Sequence, residues 1–450
     1  MDLDAGSHRC SPDFITDMRY RSTRNRDHQV SLSEAIAQGI APDGGLYVPV
    51  KFPHFVPHDF HGPLTLENIG TQLLSRFAAD DPLEEEIGAI IREAMNFPAP
   101  LVHIEGLQTP LAVLELFHGP TAAFKDFGAR FLAAALERIR RGAKRKLTIL
   151  VATSGDTGAA VAAAFHRRPW VNVVVLYPKG LVSPRQAHQL ACWGDNVRTF
   201  AVKGTFDDCQ RMVKEAFLDP ALSESHEFSS ANSINIGRLL PQMVYHARAS
   251  LELWRESGKR PNFIVPTGNL GNALACLWAR HVGLPIGEVV LATNANQTIT
   301  DFLHDGEWRP RPSVPTLANA MDVGNPSNME RLRDLHPDFE ELQSQIGASS
   351  VDDIEIRGTI RRDWHELRRV WCPHSATAAK VYRRLVSRGA RGQWVIVATA
   401  HPAKFNEVVE PQIGHEVPMP EALEKLMALP RLETELEPTL GALRAQLQNA

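Results

Sequence analysis

Between residues 146 and 399 the chain alternates short, nearly continuous apolar runs with segments of helical character. The runs are KLTILVA (146–152), VNVVVLYP (171–178), VRTFAVK (197–203), NFIVP (262–266), EVVLAT (288–293) and QWVIVAT (393–399). Helical segments follow: GAAVAAAF (158–165), SPRQAHQLACW (183–193) and one opening at Thr205, with Asp208 placed as in a capping box. A strand that is apolar on both faces must be covered on both faces. The pattern therefore predicts an α/β fold of parallel open sheets flanked by helices.

The 450 residues leave room for such a core with additions at either end. A polar extension covers 1–17, and a small N-terminal domain is expected over 18–97. In it a short helix is predicted after Ser31, ending near Gly39, and 64–96 reads as helical. Pro98 and Pro100 mark the start of the catalytic core, 98–414, and 415–450 forms a helical appendage. The hydrophobic share of 44% and charged share of 22% exclude a mainly disordered chain. A net charge of −4 gives no electrostatic case for nucleic acid. No apolar run reaches the roughly 18 residues of a membrane span. The first residues lack the apolar centre of a signal peptide. The five cysteines are far apart and odd in number, which reads as reduced thiols in a cytoplasmic protein.

In open α/β sheets, ligands bind beyond the carboxyl ends of the strands. Three such ends stand out. After ILVAT comes Ser154-Gly155-Asp156-Thr157-Gly158. After FIVPT comes Gly268-Asn269-Leu270-Gly271-Asn272. After WVIVAT, ending at Thr399, comes Ala400-His401-Pro402-Ala403-Lys404-Phe405. Small residues let a backbone approach a ligand, and free N–H groups at a helix start bind anions. The second loop suits a phosphate, having two glycines, two asparagines and no acid. The first carries Asp156, which repels phosphate but accepts hydrogen bonds. Neither loop has the ending of a P-loop or the spacing of a dinucleotide fingerprint.

A fourth element is Phe117-His118-Gly119-Pro120-Thr121-Ala122-Ala123-Phe124-Lys125-Asp126-Phe127. Lys125 stands among aromatic residues, which favours partial burial. Desolvation lowers a lysine pKa and makes the amine a candidate Schiff-base nucleophile. Together with a phosphate loop downstream, this points to a phosphorylated aldehyde cofactor, pyridoxal 5'-phosphate.

These residues resemble the threonine synthase family, pyridoxal-phosphate enzymes of fold type II. The resemblance runs from about Met18 to about residue 430. It is carried by YRSTRN, APDGGLYVP, ELFHGPTAAFKDF, ATSGDTG, GTFDDCQ, NSINIGRL, VPTGNLGN, ATNANQT, FLHDGEW, TLANAMDVGNPSN and TAHPAKF. It implies that Lys125 forms the Schiff base with the cofactor and then moves protons. Gly268, Asn269, Leu270, Gly271 and Asn272 would hold the cofactor phosphate, and Thr399 would hydrogen-bond the pyridine nitrogen. Ser154, Asp156 and Thr157 would lie near the substrate carboxylate and the ring oxygen. The implied reaction turns O-phospho-L-homoserine and water into L-threonine and phosphate. The alternative is a related phospho-lyase giving 2-oxobutyrate, ammonia and phosphate. No metal, nucleic acid or membrane partner is implied, and the oligomeric state stays open. The chain departs from the family at Leu181, where a basic residue is common, and at Asn272, where several relatives carry Asp.

Other residues have two readings each. Arg19, Arg21, Arg24 and Arg26 suit a substrate phosphate or a solvated basic segment; Lys179 and Arg185 are further candidates. His118 faces the site or holds structure, and His401 reads as structural. Asn232, Ser233 and Asn235 are near the ligands or cap a helix. His54, His58 and His61 are too interrupted by prolines for a metal site, and Cys372 reads as a buried thiol.

Overall fold

The computed structural model describes residues 17–448. All of the 1–17 extension except Asp17 lies outside them, as does Cys10. In chain order the strands are β1 (Tyr20–Ser22), β2 (Gln29–Val30), β3 (Tyr47–Pro49), β4 (Leu101–Ile104), β5 (Leu111–Glu115), β6 (Leu147–Ala152) and β7 (Val171–Pro178). They continue with β8 (Val197–Val202), β9 (Glu227–Ser229), β10 (Asn262–Pro266), β11 (Val289–Thr293), β12 (Ile346–Ser350), β13 (Trp394–Ala398) and β14 (Glu433–Leu436).

They form three sheets. The small antiparallel sheet β2-β1-β3 belongs to the N-terminal region. A six-stranded sheet has the order β12-β11-β10-β13-β5-β4, parallel except for the β4–β5 pair. A five-stranded parallel sheet has the order β14-β8-β7-β6-β9. Strands β5, β6, β11 and β13 are buried at every residue, which explains their apolar runs. Helices cover both sheets. Lys125–Ile139 is an example: its buried face carries Phe127, Phe131, Leu132 and Leu136.

The local signals behave as their chemistry dictates. Ser31 caps Leu32–Gln38 in a capping box with Glu34, and Gly39 at φ 71° closes that helix. Thr205 and Asp208 form the second box, opening Phe206–Leu218. The stretch 64–96 is two helices, Leu66–Ser75 and Ile87–Ala94, separated by 3-10 turns. The C-terminal segment holds helices Glu421–Met427 and Leu440–Gln448, and between them lies β14, an edge strand.

Candidate active site

The carboxyl ends of both large sheets meet around a cavity of about 460 Å3, within the ordinary range for small-molecule sites. Every residue of the three loop and lysine assignments lines it: Lys125, Ser154, Asp156, Thr157, Gly268 to Asn272, and Thr399. Ser154 to Thr157 follow β6 of the five-stranded sheet. The 268–272 loop follows β10, and Thr399 follows β13, both of the six-stranded sheet.

Lys125 opens the helix Lys125–Ile139. Its approach is fixed by the neighbouring strand end: Phe124 N–H donates to the Thr399 carbonyl at 2.8 Å and His401 N–H to that of Ala122 at 3.0 Å. Ala122 takes φ 54°, a left-handed conformation costly for a residue with a side chain. Among the described residues the Lys125 nitrogen makes no hydrogen bond or ion pair; its nearest aromatic face is Phe124, 5.9 Å away. Burial lowers the Lys125 pKa to about 8, opposed by Asp156 and reinforced by Arg238 and Lys404.

The 268–272 loop is also strained. Leu270 sits at φ 64° directly before the helix Gly271–His281, whose first N–H groups are left for a ligand. A Cβ at Gly268 would lie 2.7 Å from the Met321 Cα, so only glycine fits there. The Asn269 side chain stitches the loop, donating to Ser233 Oγ at 2.7 Å and accepting from Ser327 N–H at 2.6 Å. Asn272 Oδ1 accepts from Tyr245 at 2.8 Å, while its Nδ2 is buried without a partner. Thr399 Oγ1 is likewise buried and unpartnered, although its backbone N–H is held by Ser375 Oγ at 3.0 Å.

The remaining loop starts at Gly155, whose φ of 136° is open to glycine alone. It delivers Asp156 to the first turn of Asp156–Phe165. Burial pushes the Asp156 carboxyl up, but Lys404 and Lys125, with His374 and Gln186, outweigh it and hold it well below the usual range.

Two buried residues have no role assigned from the sequence, although Lys404 lies in one of the strand-end loops. Lys404, behind the cavity wall, is fully buried and paired with Asp156 at 2.8 Å. His374 lines the cavity, accepts from Ala320 N–H at Nε2 (3.1 Å), and is held to a pKa of about 4, chiefly by burial. It is therefore neutral, with its proton on Nδ1.

The arginine candidates go elsewhere. Arg19 pairs with Asp17 at 3.7 Å, Arg21 with Asp334 at 2.8 Å, and Arg24 with Glu330, while Arg26 is exposed. Lys179 pairs with Glu435, and Arg185 donates to the Ala403 carbonyl. None of these six lines the cavity, and Leu181 is exposed on the surface. The cations that do line it are Lys125, Lys214, Arg238 and Arg311. His118 bonds Glu115 at 2.7 Å, and His401 accepts from Ala403 N–H at 3.2 Å. Asn232 and Ser233 line the cavity, whereas Asn235 caps Ile236–Leu239. Cys372 is a buried helix cap whose thiol pKa is raised by burial.

Three family models divide the chain. "Threonine synthase N terminus" matches residues 19–95, "Pyridoxal-phosphate dependent enzyme" matches 93–400, and "Threonine synthase, C-terminal" matches 375–446. The threonine synthase of Escherichia coli K12 is 40% identical over 434 residues, covering 96% of this chain and all of that protein. The chain belongs to the threonine synthase family. Solved structures agree. A threonine synthase from Brucella melitensis with bound PLP superposes with a TM-score of 0.87 at 32% identity, over 96% of this chain and 99% of that one. The yeast threonine synthase superposes at 0.88 with 29% identity, over 96% and 98%. This family member is thus a lyase, and its cofactor is pyridoxal 5'-phosphate. The buried, unpartnered Thr399 hydroxyl and Asn272 amide, beside a lysine that makes no ion pair among the described residues, fit that group. No helix among the described residues is long and apolar enough to cross a membrane.

Proposed function

We propose that the chain converts O-phospho-L-homoserine and water to L-threonine and inorganic phosphate. The observation that carries this reading is the meeting of Lys125, the 268–272 loop and the unpartnered Thr399 hydroxyl in one cavity. Whole-length similarity to threonine synthases supports it over the phospho-lyase alternative.

In this reading the N–H groups of Gly271 and Asn272 hold the cofactor phosphate at the helix start. Thr399 Oγ1 is a neutral hydrogen-bond partner for the ring nitrogen. Pyridoxal phosphate, when bound, supplies the electron sink for a carbanion at the substrate α-carbon. Lys125 would hold the cofactor through its aldehyde group, and its amine, once free, would carry protons to and from the substrate carbons. The loop that holds Ser154, Asp156 and Thr157 would lie near the substrate carboxylate and the ring oxygen. The β-carbon loses a proton as the C–O bond from the γ-carbon to the phosphate breaks, and the elements of water then add across the resulting double bond, hydroxyl at the β-carbon and hydrogen at the γ-carbon. For the leaving phosphate we assign Lys214 and Arg311. Lys214 makes no ion pair among the described residues, and Arg311 is shared with Asp301 at 2.5 Å. In addition, four buried, unpaired cysteines support a reducing, cytoplasmic setting.

The test is product analysis after incubating cofactor-loaded protein with O-phospho-L-homoserine. Threonine and phosphate in equal amounts are expected. Phosphate with 2-oxobutyrate would move the function to the phospho-lyase, and no phosphate release would remove both.

A further inference from the structure

One buried lysine, Lys125, lines the cavity, and a second, Lys404, is paired with a carboxylate that lines it; their surroundings differ. Lys125 makes no ion pair among the described residues. Lys404, in the turn after β13, places Nζ 2.8 Å from Asp156 Oδ1 and donates to the Thr121 carbonyl, also at 2.8 Å. The Lys404 side chain is 0% exposed and that of Asp156 5%. Asp156 belongs to the five-stranded half and Lys404 to the six-stranded half, so this ion pair spans the two. It is braced on each side. Gln186 Nε2 donates to the same Asp156 oxygen at 3.0 Å, and Gln189 Nε2 donates to the Thr121 carbonyl at 3.1 Å. Thr121 lies in the loop that leads into Lys125, so Lys404 ties together the lysine loop, the Asp156 loop and its own turn.

We propose that Lys404 is a positioning residue: its ammonium fixes the Asp156 carboxylate across the cleft and compensates its charge, keeping Asp156 from pairing with Lys125. This rests on the assignment of Lys125 above. A buried carboxylate without Lys404 would turn to the cation that acts on it next most strongly, Lys125. The two would then compete with the chemistry for the same nitrogen.

Five further charged or titratable groups face this pair. Asp126 follows Lys125 and is held by Thr121 N–H and Oγ1 at 2.9 and 2.7 Å; burial, against those bonds, raises its pKa. Arg238 reaches in from Ile236–Leu239, and burial lowers its pKa only to about 10. Burial holds His374 and His401 to about 4, so both are neutral near pH 7. Cys372 precedes His374 and is kept as a thiol by burial. Between about pH 6 and 9, then, changes at Lys404 or Asp156 are felt mainly at the Lys125 nitrogen.

The experiment measures the pH midpoint of the visible absorbance of cofactor-loaded protein in four variants. Lys404→Met leaves Asp156 facing Lys125 and should raise the midpoint by about one unit or more. Asp156→Asn leaves Lys404 uncompensated and should lower it. The double variant should return it close to the parent value, and Lys404→Arg should hold it there. Should Lys404→Met fail to fold, the downward shift in Asp156→Asn and its reversal in the double variant decide. Unchanged midpoints, with only thermal stability or cofactor occupancy reduced, would overturn the proposal and leave Lys404 a packing element. Borohydride reduction and peptide mapping of the parent separate this from the underlying assignment. Cofactor on Lys125 is expected, and cofactor on Lys404 would overturn the assignment of Lys125 itself.

Discussion

A primary amine attacks a carbonyl only after losing its proton. Lys125 comes within reach of that requirement near neutrality because burial, opposed by Asp156, brings its pKa to about 8. An exposed lysine titrates about two units higher. Since the reactive form is the deprotonated one, capture of pyridoxal phosphate by the apoprotein should accelerate as pH rises through about 8 and level off above it. Stopped-flow absorbance reads this directly, and a rate still climbing at pH 10 would contradict it. Lys125→Ala should abolish the visible absorbance and lower turnover by at least about 10²-fold, with circular dichroism close to the parent. At this scale the sequence was readable where chemistry is local. The flanking Phe124 and Phe127 mark Lys125 as partly buried, and two glycines with two asparagines mark an anion loop. Lys404 was not readable. A lysine in a turn reads as a solvated cation, and its partner Asp156 lies far back in the chain. Nor does the run of arginines at 19–26 disclose that carboxylates at 330 and 334 take two of them.

At the scale of elements, the buried strands were legible because both of their faces must be apolar; β7 and β10 fall on the runs 171–178 and 262–266. Not every buried strand was read: β5, interior and buried throughout, was missed along with the edge strands. At the edges, Ile346–Ser350 reads IGASS and is only half-buried after Ile346, and Glu433–Leu436 reads ETEL with two exposed residues; neither has an apolar run. Their register comes from β11 and β8, not from their own composition. Loop packing was equally hidden. Glycine at 268 was expected for its approach to a ligand, yet the close neighbour is the Met321 backbone at 2.7 Å. Gly268→Ala should therefore push the 319–324 segment away from the loop and weaken pyridoxal-phosphate binding by about tenfold or more, measured by equilibrium titration. Unaltered affinity would show that this contact yields easily.

For the molecule as a whole, the two sheets are held together by side chains that cross between them and by chain ends that close them. β14 covers the edge of β8, and the helix Leu440–Gln448 buries Leu443 and Leu447 against Phe206–Leu218. Ion pairs Lys203–Glu437 at 2.8 Å and Arg444–Asp219 add to this seam. A chain stopped after Ala428 should expose the β8 edge, lower the melting temperature and aggregate at micromolar concentration, followed by light scattering on heating. A truncated chain that melts as the parent does would show the seam to be dispensable. The sheet order itself carries another consequence. β13 lies between β10 and β5, so the six-stranded sheet has a gap at its middle until the residues around 394–398 arrive. Thr399 and Lys404 arrive with the same segment. On a ribosome, which delivers the chain from its N-terminus, β5 and β10 would emerge without the strand that joins them. The half-made protein would hold a lysine and a phosphate loop in separate pieces. Assembly of the sheet and assembly of the site are then a single late event, and the newborn chain cannot take up its cofactor before its architecture is nearly finished.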